Sequence, residues 1–206
     1  FLSEALELAR KSGNKADITL ALNGLGYVAE DLGNYAEARA CYEEGLAAGR
    51  ETGDRLSVTR QLTLLGEVAR RQQAWNEAKD FYQRAIAAGH ETGNQYFLSA
   101  NLGNLAFVAV ELGELEEAIR LAREAARLGL AMQSPALVLP ALVSAAATAA
   151  RQGDADRALE LLGLVASHPA CRADTQLDLD RVLAGLRAVL PAQTVEIGLD
   201  LGRHQD

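Results

Sequence analysis

Apolar residues recur along this chain at helical spacing, in paired runs that each end at a glycine. Between 15 and 54 the first run carries Leu22, Leu25, Val28, Ala29 and Leu32 and stops at LGN (32–34). The second starts near Tyr35, turns Ala38, Tyr42 and Leu46 inward and stops at GRETGD (49–54). Spacings of three and four residues put such side chains on one face of a helix. Gly53 and Gly93 can take the left-handed conformation that ends a helix, and Asp54 and Asn94 can cap the helix that follows.

GHETGN (89–94) repeats GRETGD after forty residues, and the whole pattern moves with it. Residues 21–60 and 61–100 share 14 identities without a gap. Ala29, Ala69, Ala109 and Ala149 hold one phase; Ala38, Ala78, Ala118 and Ala158 hold another. Leu25, Leu65 and Leu105 form a third, each followed by a small residue: Gly26, Gly66 and Ala106. A fixed period of this length marks stacked helical hairpins, each of which buries its apolar face only against its neighbours. The recurring small residues mark close helix approach, where a leucine would cost roughly 1–3 kcal/mol in overpacking. Phe1, Cys41, Phe81, Leu121 and Leu161 also run in step, so the opening residue falls inside a second helix, and the sequence is expected to be cut from a longer chain.

Composition narrows the function. Alanine and leucine dominate with only 4 prolines, and no alternating β-branched run appears, which fits an all-α chain. A net charge of −8 with dispersed arginines opposes nucleic-acid binding. No apolar run reaches the roughly 20 residues that cross a bilayer. Cys41 and Cys171 lack a disulfide or metal spacing, which points to a reducing, cytoplasmic setting.

The stretch LGYVAEDLGNYAEARACYEEGLAAG resembles the tetratricopeptide repeat: it holds the Leu25-Gly26 pair, the Gly33-Asn34-Tyr35 turn, the Glu37-Ala38 pair and the aromatic Tyr42. The echoes are LGEVARRQQAWNEAKDFYQRAIAAG, LAFVAVELGELEEAIRLAREAARLG and AATAARQGDADRALELLGLVASHP. The unit is forty residues rather than thirty-four and lacks the usual closing proline, so longer helices are expected. The resemblance implies a right-handed superhelical solenoid of antiparallel helix pairs. A half repeat would span 1–14, units would lie near 15–54, 55–94, 95–134 and 135–168, and a capping helix and tail would fill 169–206. The Leu161-Leu162-Gly163 segment, the amphipathic stretch near 172–190 and the closing Gly202-Arg203 also resemble the C-terminal repeat region of large bacterial ATPases and transcriptional regulators.

Other motifs have plainer readings. GLGYVA (24–29) fits a dinucleotide fingerprint, yet Gly24 and Gly26 lie inside a helical run rather than after a strand. In NLGN (101–104) only Asn104 is in phase. His90, His168 and His204 are scattered, Cys41 holds a core phase, and no catalytic set or phosphate loop exists, so neither enzyme activity nor a cofactor is expected. Pro140 removes an N–H inside a helical run and predicts a kink or a late helix start.

The resemblance implies a groove lined by first helices. It assigns Asn23, Tyr27, Glu30 and Asp31; then Thr63, Glu67, Arg70 and Arg71; then Asn104, Phe107 and Glu111; then Val143, Ser144 and Ala147. Amides, aromatics and both charge signs suit a peptide or protein segment as partner. Two alternatives stay open: a regulatory sensor that folds against its own switch domain, and self-association through the exposed first helix, 1–11.

Overall fold

Helix ends fall where glycine and capping side chains place them. Gly53 takes φ 67°, and Asp54 Oδ1 accepts the Ser57 N–H at 3.0 Å. One period later Gly93 takes φ 66°, and Asn94 Oδ1 accepts the Phe97 N–H at 3.1 Å. The structure is a computed structural model that describes residues 1–203, and eleven α-helices account for its regular elements. Among the described residues there is no strand, and no helix is long and apolar enough to cross a membrane. His204 and the two residues after it lie outside the described part.

The chain divides into two units, Phe1–Leu98 and Ser99–Asp206. The first holds α1 (Leu2–Ser12), α2 (Lys15–Asp31), α3 (Tyr35–Thr52), α4 (Arg55–Arg71), α5 (Trp75–Thr92) and the opening turn of α6 (Gln95–Glu111). α1 packs on α2, α2 on α3, α3 on α4 and α4 on α5. Leu22 and Leu62, Ala29 and Ala69, Ala38 and Ala78, and Tyr42 and Tyr82 are buried, so these side chains forty residues apart share an environment. Gly26 lets Tyr42 in, because a β-carbon there would strike the Tyr42 ring. Gly66 does the same for Tyr82.

Two expected core residues of α2 face outward instead. Val28 and Leu32 are 47% and 71% exposed, whereas Val68 of α4 is fully buried. Leu2, at the start of α1, lies against Gly24, and Val28 and Leu32 stand beyond that contact. Cys41 is half-buried rather than buried, and burial followed by the charges of Glu37 and Glu44 pushes its thiol up.

The second unit holds the rest of α6 with α7 (Leu115–Ala131), α8 (Pro135–Arg151), α9 (Ala155–Ser167), α10 (Ala173–Arg187) and α11 (Ala192–Arg203). α7, α8 and α9 pack in sequence, α10 covers α8 and α9, and α11 lies on α9. Ala109, Ala118 and Ala158 are buried in the same phase as their counterparts, while Ala149 is only half-buried. α8 begins at Pro135 and runs unbroken through Pro140, so the late start is not adopted. Pro140 leaves the carbonyl of Ala136, in the first turn of α8, without its intrahelical donor. α11 crosses α9 through glycine: a β-carbon on Gly202 would strike the Glu160 carbonyl, and one on Gly163 would strike the Leu199 backbone.

Candidate functional site

The polar residues of α2 and α4 meet in two layers. In the lower layer Arg71 Nε lies 2.7 Å from Glu30 Oε1, and the Tyr42 hydroxyl donates to Glu30 Oε2 at 3.1 Å. Tyr27 lies edge-on to Tyr42 with ring centroids 6.1 Å apart, and its outer half is exposed. Burial raises the Glu30 carboxyl above the ordinary range; the Arg71 charge, the Tyr42 hydrogen bond and the Arg70 charge oppose it. Burial also pushes the Tyr42 phenol far up, aided by the Glu30 charge, which keeps it a hydrogen-bond donor.

In the upper layer Gln61 Nε2 donates to Asn23 Oδ1 at 2.8 Å. Gln61 is completely buried, and its Oε1 has no hydrogen-bond partner in the structure. The bond orients the Asn23 amide and leaves Asn23 Nδ2 as a donor uncommitted among the described residues. Asn23 lines an open cavity of about 710 Å³ between the N-terminal halves of α2 and α4, with Lys15, Leu20, Leu56, Ser57 and Arg60. Leu20 and Leu56 are exposed. Lys15 pairs with Glu51 at 2.9 Å, but the Arg60 guanidinium has no carboxylate partner among the described residues and sits 6.0 Å from the Phe97 ring centroid. Tyr96 stacks edge-on against Phe97 and is half exposed.

The structure thus brings Glu30, Arg71 and Tyr27 into one cluster and sets Asn23 in a neighbouring cavity. It places several other expected groove residues elsewhere. Arg70, 4% exposed, is a buried cation, and Thr63 is buried with its hydroxyl donating to the Thr59 carbonyl at 3.0 Å. Phe107 is 2% exposed and is a core residue of the second unit, so it offers no open face. Val143, Ser144 and Ala147 are buried as well. Glu67 and Asn104 are half-buried, as is Glu111, which pairs with Arg151 at 3.3 Å.

Gln61, Leu20, Leu56 and Arg60 were missed by sequence reasoning. The available signal was the phase: Leu20 and Arg60 stand forty residues apart, about one helical turn before Asn23 and Thr63, and Leu56 and Tyr96 stand forty apart, about two turns before Thr63 and Asn104. Among the described residues no group of three or more His, Cys, Asp or Glu could hold a metal ion.

Comparison with known proteins agrees with the helical-repeat fold. A family model described as tetratricopeptide repeat matches residues 57–131, and a second model of the same description matches residues 19–49; together they span just over half of the chain. The crystal structure of BtubC (BKLC) from P. vanneervenii is similar in fold, with a TM-score of 0.73, 21% identity and coverage of 98% of this chain and 87% of that one. No curated protein matches the sequence.

Proposed function

We propose that this chain, which belongs to the tetratricopeptide repeat family, binds an extended segment of a protein partner on the face where α2 and α4 lie side by side. Repeats of this family generally mediate protein–protein interaction. The observation that carries the assignment is the Asn23 amide, held by buried Gln61 in the wall of the cavity with its Nδ2 donor uncommitted among the described residues. A peptide carbonyl suits that donor, because an extended segment presents one acceptor per residue. Leu20 and Leu56 supply apolar contact on either side, and Arg60 supplies an unpaired cation for an acidic side chain. Tyr27 and the Glu30–Arg71 pair extend the same face toward the C-terminal ends of the two helices.

The test is selection of peptides from a displayed random library, followed by fluorescence anisotropy on the selected sequences. Selected peptides should carry an acidic residue next to an aliphatic one. Arg60→Glu with Tyr27→Ala should weaken them at least tenfold while the helical content stays unchanged, since both residues are exposed. Arg70→Glu is unsuitable for this purpose, because Arg70 is buried and its reversal would destabilise the fold. Peptides that bind the double variant as they bind the parent would overturn the site.

A further inference from the structure

Four of the forty-residue series change character together at their fourth member. Positions 10, 50 and 90 hold Arg, Arg and His; positions 15, 55 and 95 hold Lys, Arg and Gln. Positions 19, 59 and 99 hold Thr, Thr and Ser; positions 44, 84 and 124 hold Glu, Arg and Glu. Forty residues after the last of each set stand Leu130, Pro135, Leu139 and Leu164. These four polar-to-apolar changes lie on three different helices and converge on one open cavity of about 390 Å³, where α7 ends, α8 begins and α9 ends. Val138 and Leu142 complete its apolar wall.

The polar groups of this cavity are few. His168 Nδ1 accepts the Ala170 N–H at 3.1 Å, so Nε2 carries the proton of the neutral ring and is a donor. Ser134 stands at the N-cap of α8, yet its side chain makes no cap hydrogen bond. Both sit at the end of the unit where α8 starts and α9 stops, while Leu139, Leu142 and Leu164 lie along the helices beyond them. Leu130 forms the outer rim and is 66% exposed. An apolar body with donors gathered at one end, in a volume of this size, is the layout of a small-molecule pocket; a single exposed leucine is too little for a stable protein interface.

We propose that this cavity binds a small aliphatic molecule bearing one oxygen acceptor, with the chain along Leu139, Leu142 and Leu164 and the oxygen at His168 and Ser134. The site lies within the second unit and is independent of the peptide face in the first.

The experiment is calorimetric titration of the whole chain with sodium hexanoate, sodium octanoate and 1-octanol. Saturable one-to-one binding is expected, about fourfold tighter for each added methylene. Leu130→Arg and Leu164→Glu restore the residues of earlier periods and should each weaken binding at least tenfold. Leu130→Arg changes an exposed side chain, so it keeps the test decisive should Leu164→Glu fail to fold. Binding of octanoate alone assigns the acceptor as a carboxylate, and binding of both assigns it as a neutral oxygen; either supports the site. Absence of saturable binding by both eight-carbon probes overturns it, as does unchanged affinity in Leu130→Arg. A concentration-dependent dimer that Leu130→Arg disperses also overturns it, by making the cavity an interface between copies.

Discussion

The ring of Tyr82 occupies the space that a β-carbon on Gly66 would need: such a carbon would lie 2.6 Å from Tyr82 Cε1. Tyr42 stands in the same relation to Gly26 one period earlier. In the second unit the corresponding pairs are Ala106 with Ala122 and Ala146 with Leu162. The position on the first helix is always small, and it shrinks to glycine where the facing residue is tyrosine.

This size coupling has a measurable consequence. Gly66→Val should destabilise the chain by roughly 1–3 kcal/mol through overpacking. The pair Gly66→Ala with Tyr82→Ala, which copies Ala106 and Ala122, should cost less than the sum of its single substitutions. Urea titrations of the four proteins give the coupling directly. Strict additivity would show that the two residues do not share space.

The buried carboxyl of Glu30 predicts a pH dependence. Its folded pKa is raised, chiefly by burial, against the pull of Arg71. From the ordinary glutamate value up to the raised one, the folded chain keeps a proton that the unfolded chain has released, so Glu30's contribution to stability falls as pH rises through that window. Below the window the contribution is fully present. The difference in unfolding free energy between the parent and Glu30→Gln should therefore shrink with rising pH and then level off. A difference that grows with pH would mean that the Arg71 ion pair outweighs burial.

Gln73 takes φ 60° at the position where Gly33 and Gly113 take 76° and 79°. A side chain in this region costs roughly 1–2 kcal/mol, and glycine's greater freedom in the unfolded chain offsets part of the gain. Gln73→Gly should stabilise the chain by up to about 1 kcal/mol, read as a higher melting temperature. A lower one would assign the Gln73 side chain a role that its backbone geometry does not show.

The crossing of α11 over α9 depends on glycine at both helices. A β-carbon on Gly198 would lie 2.7 Å from Leu159 Cβ, and one on Gly202 would strike backbone. Gly202→Ala should release α11, raising amide exchange across 192–203 while leaving unit one unchanged. Retained protection there would show that the crossing adapts.

Much of the fold was legible from the forty-residue phase, since Ala38, Ala78, Ala118 and Ala158 all lie buried as equivalent positions should. The site was less legible because phase reports a shared direction and not whether that direction is covered. Position 27 is an exposed Tyr, position 67 a half-buried Glu and position 107 a buried Phe. Arg70 shows the same limit, because a charged residue at a solvent-facing phase was expected to stay open and is enclosed. Gln61 went unnoticed since a lone glutamine has no sequence signature; only its 2.8 Å bond to Asn23 reveals what it does.

The central claim is that Asn23, fixed by Gln61, receives a peptide on the α2 and α4 face. Its most direct test is to follow the Asn23 side-chain amide in ¹⁵N-resolved spectra during titration with a selected peptide. The account predicts that this NH₂ pair shifts in step with the Leu20, Leu56 and Arg60 backbone signals at one Kd, and that Gln61→Leu weakens that Kd while the helices persist. An Asn23 amide that stays unmoved at saturation, with shifts confined to other surfaces, would contradict it.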